Sequence, residues 1–553
     1  MVIQDRQKKF QEAIQRNPHL AAYLQKWSAE GNKLPEFYVQ LQSDMAKMKE
    51  FNFLYPVQDP MFIHVYKLGT SGKRYITIEP MMTEETRAKY EQIQEAILKE
   101  APYEKPHETR EEFAQVLDRL MRKVTTQKES PVTGWLSSRL TGFETKKILV
   151  TPKEFETIKY YMIRNIIEHG PLEPIIRDPY IEDIHSIGTA DLYIVHKVFG
   201  MMATNVRFRD AAELDEFLRT MSERIGKPVS DAKPIIDGAL PDGSRINIVY
   251  SEDVSRKGSS FTIRKFSEKP FTVTALIKFG TLNTEIAAYI WLCLENGMSL
   301  IVSGETASGK TTTLNAILTF INHNHKVYSA EDTPEVIAPQ PVWQRLITRD
   351  VGPEGSRVEL FDLVRAALRS RPNYIIVGEV RGKEGSVMFQ AMQTGHSVLS
   401  TFHAPSTKQL IQRFTGEPIN VPIRFMDNLN VVVFQSSLYE GGRLIRRVIS
   451  VDEIIRYSKD LDGVLTRSVF RWDPFTDTHF FRGMNNSFIL EEKIAPRLKF
   501  EDKRMIYDEL KARAKILKQM VDRNIVAYDD VNRIMASYYR AGGIEGLPPE
   551  LRP

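Results

Sequence analysis

Gly304-Glu305-Thr306-Ala307-Ser308-Gly309-Lys310-Thr311 has the spacing of a phosphate-binding loop: two glycines enclosing four residues, then a lysine and a hydroxyl. The glycines permit a tight loop whose backbone N–H groups, through Thr312, converge on an anion at a helix N-terminus. Lys310 would reach the β- and γ-phosphates of ATP, and the Thr311 hydroxyl would ligate Mg²⁺. An apolar run, Tyr374 to Val377, ends in Gly378-Glu379. Such a strand delivers its acid to the carboxyl edge of a parallel sheet, where Glu379 would hold the water shell of the metal or polarise an attacking water. Gly378 stands where many NTPases carry Asp, so direct metal ligation by an acid at that position is excluded. Glu331, Asp332 and Glu335 follow another apolar run, and one carboxylate there would orient water or take its proton. His396 and His403 flank a third run, and a neutral imidazole would donate to a phosphate oxygen. Their spacing of seven residues is no metal signature.

The elements needed to hold these residues are legible around them. Leu300–Ser303, Val327–Ala330, Tyr374–Val377 and Val398–Thr401 are short all-apolar runs separated by helical patterns. Such runs are strands buried on both faces, which predicts a parallel α/β sheet from about residue 273 onward. Beyond it, Ile506, Leu510, Ala514, Leu517 and Val521 share a helix face, as do Val531, Ile534, Met535 and Tyr538. Residues 151–268 read as α+β, with strands over Asp178–Val195, Thr204–Phe208, Arg245–Tyr250 and Ser260–Arg264, and a helix over Ala211–Ile225. Ser267 to Phe271 reads as a linker, because Pro270 discourages a continuing helix. Residues 1–150 read as mostly helical, with a hairpin formed by Phe62–Tyr66 and Tyr75–Ile78 and no residues that carry chemistry; a packing or partner-binding role is expected for them.

Composition removes other classes. The chain has 553 residues, 75 Lys+Arg against 71 Asp+Glu, and one cysteine, Cys293. An intramolecular disulfide or a multi-cysteine zinc site is impossible, and the lone thiol fits a reducing cytosol. The charges nearly cancel and the aromatics are scattered, so no basic stacking groove for a nucleic-acid motor is expected. No apolar stretch approaches the roughly 20 residues of a membrane span, and the N-terminus lacks a signal peptide's apolar core. Any membrane role is expected to be peripheral. A nucleotide-dependent scaffold that barely hydrolyses ATP is disfavoured by the presence of Glu331, Glu379, His396 and His403 together.

The order of motifs resembles the ATPases of type II and type IV secretion systems. The resemblance rests on GETASGKTTTLNA, AEDTPE, RSRPNYIIVGEVRG and TGHSVLSTFHA, from Ser303 to Ala404, and extends over about residues 155–490. The stretches IEDIHSIGTADLYIVH, IGKPVSDAKPIIDGALPDGSRINI and FRWDP look most like the archaeal branch, nearest to the motor of the archaellum. Many bacterial type II relatives carry a four-cysteine zinc insertion, which this chain cannot have.

The resemblance implies a RecA-like ATPase domain (273–553, with a helical tail) preceded by a PAS-like α+β domain (151–268) and the N-terminal region (1–150). It implies a homohexamer that hydrolyses ATP with Mg²⁺, without nucleic acid, in the cytoplasm at the inner face of the cell membrane. Its expected partners are a polytopic membrane platform protein and other archaellum or pilus base components. Arg245 and Arg264 match the arginines that reach the phosphates from the second domain, while Arg369, Arg371 and Arg381 are candidates for sensing or subunit contact. The resulting expectation is a motor that assembles and rotates an archaellum; the alternative is an archaeal pilus or type II-like secretion ATPase.

Overall fold

A computed structural model describes residues 2–41, 45, 48–70, 72–103, 109–127, 147–240, 242–266, 269–349, 356–440 and 443–552. The chain divides into two units, Met1–Lys265 and Phe266–Pro553. The linker expected from Ser267 therefore begins close to the division, and its Ser267 and Glu268 lie outside the described residues.

The first unit is built on strands β1 (Glu36–Phe37), β2 (Phe51–Gln58), β3 (Met61–Lys67) and β4 (Arg74–Ile78), a short parallel pair β5 (Thr125–Thr126) and β6 (Ile148–Leu149), then β7 (Ile181–Ile187), β8 (Tyr193–His196), β9 (Gly200–Thr204), β10 (Ile235–Ala239), β11 (Arg245–Val249) and β12 (Ser260–Arg264). All but β5 and β6 form one sheet in the order β1-β2-β3-β4-β9-β8-β7-β12-β11-β10. This corrects the expectation that residues 1–150 stand apart as a mostly helical region. Their helices are present (Val2–Arg16, Pro18–Ala29, Glu84–Glu100, Arg110–Val124), but β1 to β4 continue the sheet of the second region through a parallel β4–β9 pair. Residues 128–146 of that expectation lie outside the described residues.

The join is fastened in the core. Tyr55 and Tyr75 both donate to Asp178 Oδ2, at 2.7 and 2.8 Å, and the Tyr180 N–H donates to Oδ1 at 2.8 Å. Burial pushes the Asp178 carboxyl up, and these donors oppose it. The hidden strand is β2. Its Pro56 lies beyond the two-residue pairing with β1, so the missing N–H leaves no gap in that ladder. The expected strand over Thr204–Phe208 is instead β9, which ends at Thr204.

The second unit holds β13 (Leu300–Gly304), β14 (Val327–Glu331), β15 (Trp343–Ile347), β16 (Tyr374–Glu379), β17 (Ser397–Phe402), β18 (Val431–Glu440), β19 (Arg443–Ser458), β20 (Gly463–Asp473) and β21 (Thr478–Phe481), in the order β15-β14-β16-β17-β13-β18-β19-β20-β21. β15 through β18 in that order are parallel, and β18 to β21 continue as an antiparallel meander. Alternate residues of β13 enter opposite cores. Leu300 and Val302 pack with the helix Thr284–Glu295 and the C-terminal helices, and Ile301 packs with helices Leu360–Ser370 and Glu384–Gln393. Cover on both faces is why the strand reads as an unbroken apolar run. The C-terminal helices Ile506–Asp522 and Tyr528–Arg540 bury the faces expected of them, centred on Leu510, Leu517, Val531 and Met535. Among the described residues no helix is long and apolar enough to cross a membrane.

Candidate active site

β13 ends at Gly304 and the helix Lys310–Ile317 begins six residues later, with Gly309 as its N-cap at φ 91°. Gly304 is required by space and Gly309 by its positive φ. A Cβ on Gly304 would lie 2.0 Å from Gln435 O, and one on Gly309 would meet Gln435 Nε2 at 3.0 Å and Arg446 Cδ at 3.1 Å. Between them, Glu305, Thr306 and Ala307 are exposed and Ser308 is buried, its hydroxyl donating to Glu305 O at 2.8 Å. Lys310 Nζ donates to the same carbonyl at 2.8 Å. Thr311 and Thr312 stand half-buried in the first helical turn. The loop is braced from the neighbouring strands: Thr313 donates to Gln435 Oε1 at 2.7 Å, and Arg446 Nε donates to Ala307 O at 3.1 Å. This glycine cradle, with a lysine and a threonine at its mouth, fits a polyphosphate and its magnesium ion.

Glu379 closes β16 at the same carboxyl edge. Arg381 pairs with its Oε2 at 2.5 Å. His403, just past β17, brings Nε2 to 2.6 Å from Glu379 Oε1, and its Nδ1 lies 3.5 Å from Lys310 Nζ. Burial lowers the imidazole pKa, Lys310 lowers it further and Glu379 opposes both, so His403 is neutral near pH 7. Glu379 Oε1 is buried with no well-aligned donor despite the nearby imidazole. A buried carboxylate oxygen left in that state suits an added donor such as a water. Lys310 has its own pKa lowered by burial, opposed by Glu379.

Glu331, at the end of β14, is 1% exposed. Its Oε1 accepts from the Glu335 and Val336 N–H groups at 2.8 and 2.6 Å, and Oε2 faces Arg345 Nε at 3.4 Å. Burial pushes this carboxyl up to about 7, against the pull of Val336 N–H and Arg345. Its side chain occupies the space over Gly378, where a Cβ would sit 3.2 Å from Glu331 Cγ. Gly378 is thus the gap that admits the Glu331 side chain. Asp332 is exposed and Glu335 half-buried, and both act electrostatically on Arg381. Asn315 fixes their loop, accepting from Ile337 N and donating to Glu335 O, each at 2.9 Å.

The histidine pair is divided. His396 precedes β17 and His403 follows it, so a whole parallel strand lies between them and they stand at opposite edges of the sheet. The seven residues of extended chain between them span about 20 Å, so within this chain His396 is not brought to Lys310 and Glu379. Arg371 lies at the same far edge, before β16, and Arg369 is exposed in the last turn of the helix Leu360–Ser370. Of the three arginines near the strand acid, Arg381 alone meets it among the described residues.

Arg245 and Arg264 belong to the first unit, where they are direct cross-strand partners on β11 and β12. Alternation buries Ile246, Ile248, Phe261 and Ile263 on one face and leaves both arginines on the other. Arg264 also faces Asp183, with Nε 3.2 Å from Oδ1. Like charges directly opposite one another cost stability, and the Asp183 carboxylate offsets part of that cost for Arg264. Gln435, Arg446, Asn315 and Arg413, whose guanidinium donates to His403 O, are additions that no local motif announces.

The type II/IV secretion system protein family profile matches residues 166–438. An uncharacterized protein of Methanocaldococcus jannaschii, MJ0900, is 53% identical over 549 residues, 99% of this chain and 100% of that one. The type IV secretion system protein VirB11 of Bartonella quintana is 24% identical over 311 residues, 49% of this chain and 82% of that one. Among solved structures, the pilus retraction motor PilT with bound ADP aligns at 18% identity and TM-score 0.38, over 64% of this chain and 92% of that one. With its phosphate-binding loop, acidic box, strand acid and following histidine in order, the chain belongs to the type II/IV secretion system protein family.

Proposed function

We propose that this protein is an ATP-hydrolysing motor that works as a homohexamer at the cytoplasmic face of the cell membrane, docked on a polytopic platform protein, and drives assembly and rotation of an archaellum. The observation that carries the hydrolytic reading is the meeting of Lys310, His403 and Glu379 at one sheet edge beside the glycine cradle. Backbone N–H groups from Gly304 to Thr312 hold the phosphates, and Lys310 exchanges Glu305 O for a phosphate oxygen. Glu379 orients the attacking water, and neutral His403 links that acid to the lysine. Thr311 would hold Mg²⁺ directly and Glu379 through water; bound there, the ion neutralises phosphate charge. Glu331 orders the acidic box beside Glu379 and is the candidate general base. Arg245 and Arg264 supply guanidinium groups to the phosphates when a first unit closes on a nucleotide. Support for the archaellum rests on the resemblance of the boxes to the archaeal branch and on the full-length likeness to an archaeal protein.

Two experiments test this. Lys310→Ala is expected to abolish nucleotide-dependent turnover of the purified protein. Deletion of the gene is expected to remove swimming and archaella; loss of pili or of secretion with normal swimming would assign the motor to that machinery instead.

A further inference from the structure

His396 and Arg371, which the nucleotide site does not use, come together elsewhere. A cavity of about 340 Å³ opens at the edge of the second unit's sheet where its parallel strands begin, opposite the edge that carries Lys310. Arg371 ends its helix in a left-handed turn at φ 46°, and Pro372 leads from it into β16. The Arg371 guanidinium is exposed and, among the described residues, pairs with no carboxylate. His325 enters from the turn before β14, and its Nδ1 is buried without a hydrogen-bond partner. His396 places Nδ1 3.1 Å from Thr394 Oγ1. Asn373 uses its Oδ1 on Lys326 N, at 2.9 Å, which leaves its amide N–H groups to donate.

The charge balance of this cavity is one-sided. None of the residues lining it is an acid. Arg497 adds a second guanidinium at the rim, donating to Asn296 O beside the wall residue Gly297. An arginine fork, two imidazoles and an amide, with no carboxylate to satisfy them, match an oxyanion that accepts several hydrogen bonds at once. The volume lies in the range of small-ligand pockets and exceeds that of a lone inorganic ion.

We propose that this cavity is a second, non-catalytic anion site that takes the phosphate group of a small phosphate ester. A phosphate monoester carries nearly two charges at neutral pH and three acceptor oxygens, more than a carboxylate offers to this set of donors.

The test is isothermal titration of the full-length protein with its nucleotide cradle filled by saturating ADP, using inorganic phosphate and ribose 5-phosphate as separate probes. The expected result is one saturable site per chain, weakened about tenfold or more in Arg371→Gln and again in His325→Gln. Both variants should keep the wild-type melting temperature within a few degrees. Tighter binding of the ester shows that the organic part is read as well; equal binding shows that the phosphate alone is recognised. Absence of saturable binding, affinities unchanged in both variants, or binding only at hundreds of millimolar (an adventitious ion only) would overturn the proposal.

Discussion

His403 Nε2 stands 2.6 Å from Glu379 Oε1 while its Nδ1 faces Lys310 Nζ at 3.5 Å, so one imidazole touches both the strand acid and the loop lysine. It can serve both only when neutral, with Nε2 carrying the proton and Nδ1 accepting from the ammonium. His403→Ala is therefore expected to lower kcat by about 10²-fold or more with a smaller change in nucleotide Kd. The pH–rate profile should lose activity on the acid side as the imidazole protonates, below its ordinary value of 6.5. Steady-state kinetics from pH 5 to 8 on both proteins would check this. An acid limb unchanged in the variant would assign the titration to another group.

Glu331 gives a stability prediction with a definite sign. Its carboxyl is raised from 4.5 to about 7 by burial. A carboxyl whose folded pKa exceeds its unfolded value keeps the folded protein protonated longer, so its contribution is full below about 4.5 and is lost as pH rises through about 7. Relative to Glu331→Gln, the wild type should lose on the order of 2 kcal/mol of stability between pH 5 and pH 8. Denaturant titrations of both proteins at the two pH values measure it, and a relative gain with rising pH would contradict the assignment.

Gly378→Ala should harm activity more than stability. The added Cβ would sit 3.2 Å from Glu331 Cγ, and that side chain is held by two backbone N–H groups. A shift of a few tenths of an ångström displaces Glu331 from its backbone donors, so turnover should fall by about tenfold while the melting temperature drops only a few degrees. A melting temperature collapse with normal turnover in the surviving fold would show that the glycine serves packing alone.

Arg446→Ala removes the brace from Ala307 O, a solvent-exposed hydrogen bond of 3.1 Å made by a half-buried side chain. One such bond is worth about 0.5–1.5 kcal/mol, which converts to a two- to tenfold weaker nucleotide Kd. Fluorescent-nucleotide titration of the variant would show it, and an unchanged Kd would remove Arg446 from the loop's support.

In the first unit, Tyr75→Phe should cost about 1–3 kcal/mol, because Asp178 loses one of two buried hydroxyl donors on the same oxygen. Urea denaturation would reveal it. The same geometry predicts that deleting the segment carrying β1 to β4 unfolds the sheet to which those strands belong.

How far the sequence reached depends on the range of the contacts involved. The loop, Glu379 and His403 were legible because each lies next to its own apolar run, and parallel strands deliver their following residues to one edge. The same logic separates His396 from His403: a strand was expected between the two histidines, and its two ends lie at opposite edges of the sheet. Gly378 revealed nothing locally, since its reason is the Glu331 side chain on a neighbouring strand. Gln435 and Arg446 were invisible because β18 and β19 reach the loop from more than 120 residues away, in a meander whose mixed burial obscures the period-2 signal. β2 was hidden by Pro56, a residue that argues against a strand unless its partner is known to be short.

The most direct test of the account is Glu379→Gln, assayed for nucleotide binding and for turnover in the same preparation. Amide for carboxylate preserves shape and removes the charge that polarises water, so ATP should bind within a few fold of wild type while turnover falls by at least about 10². Turnover at the wild-type rate would contradict the role given to this acid, and with it the site as described.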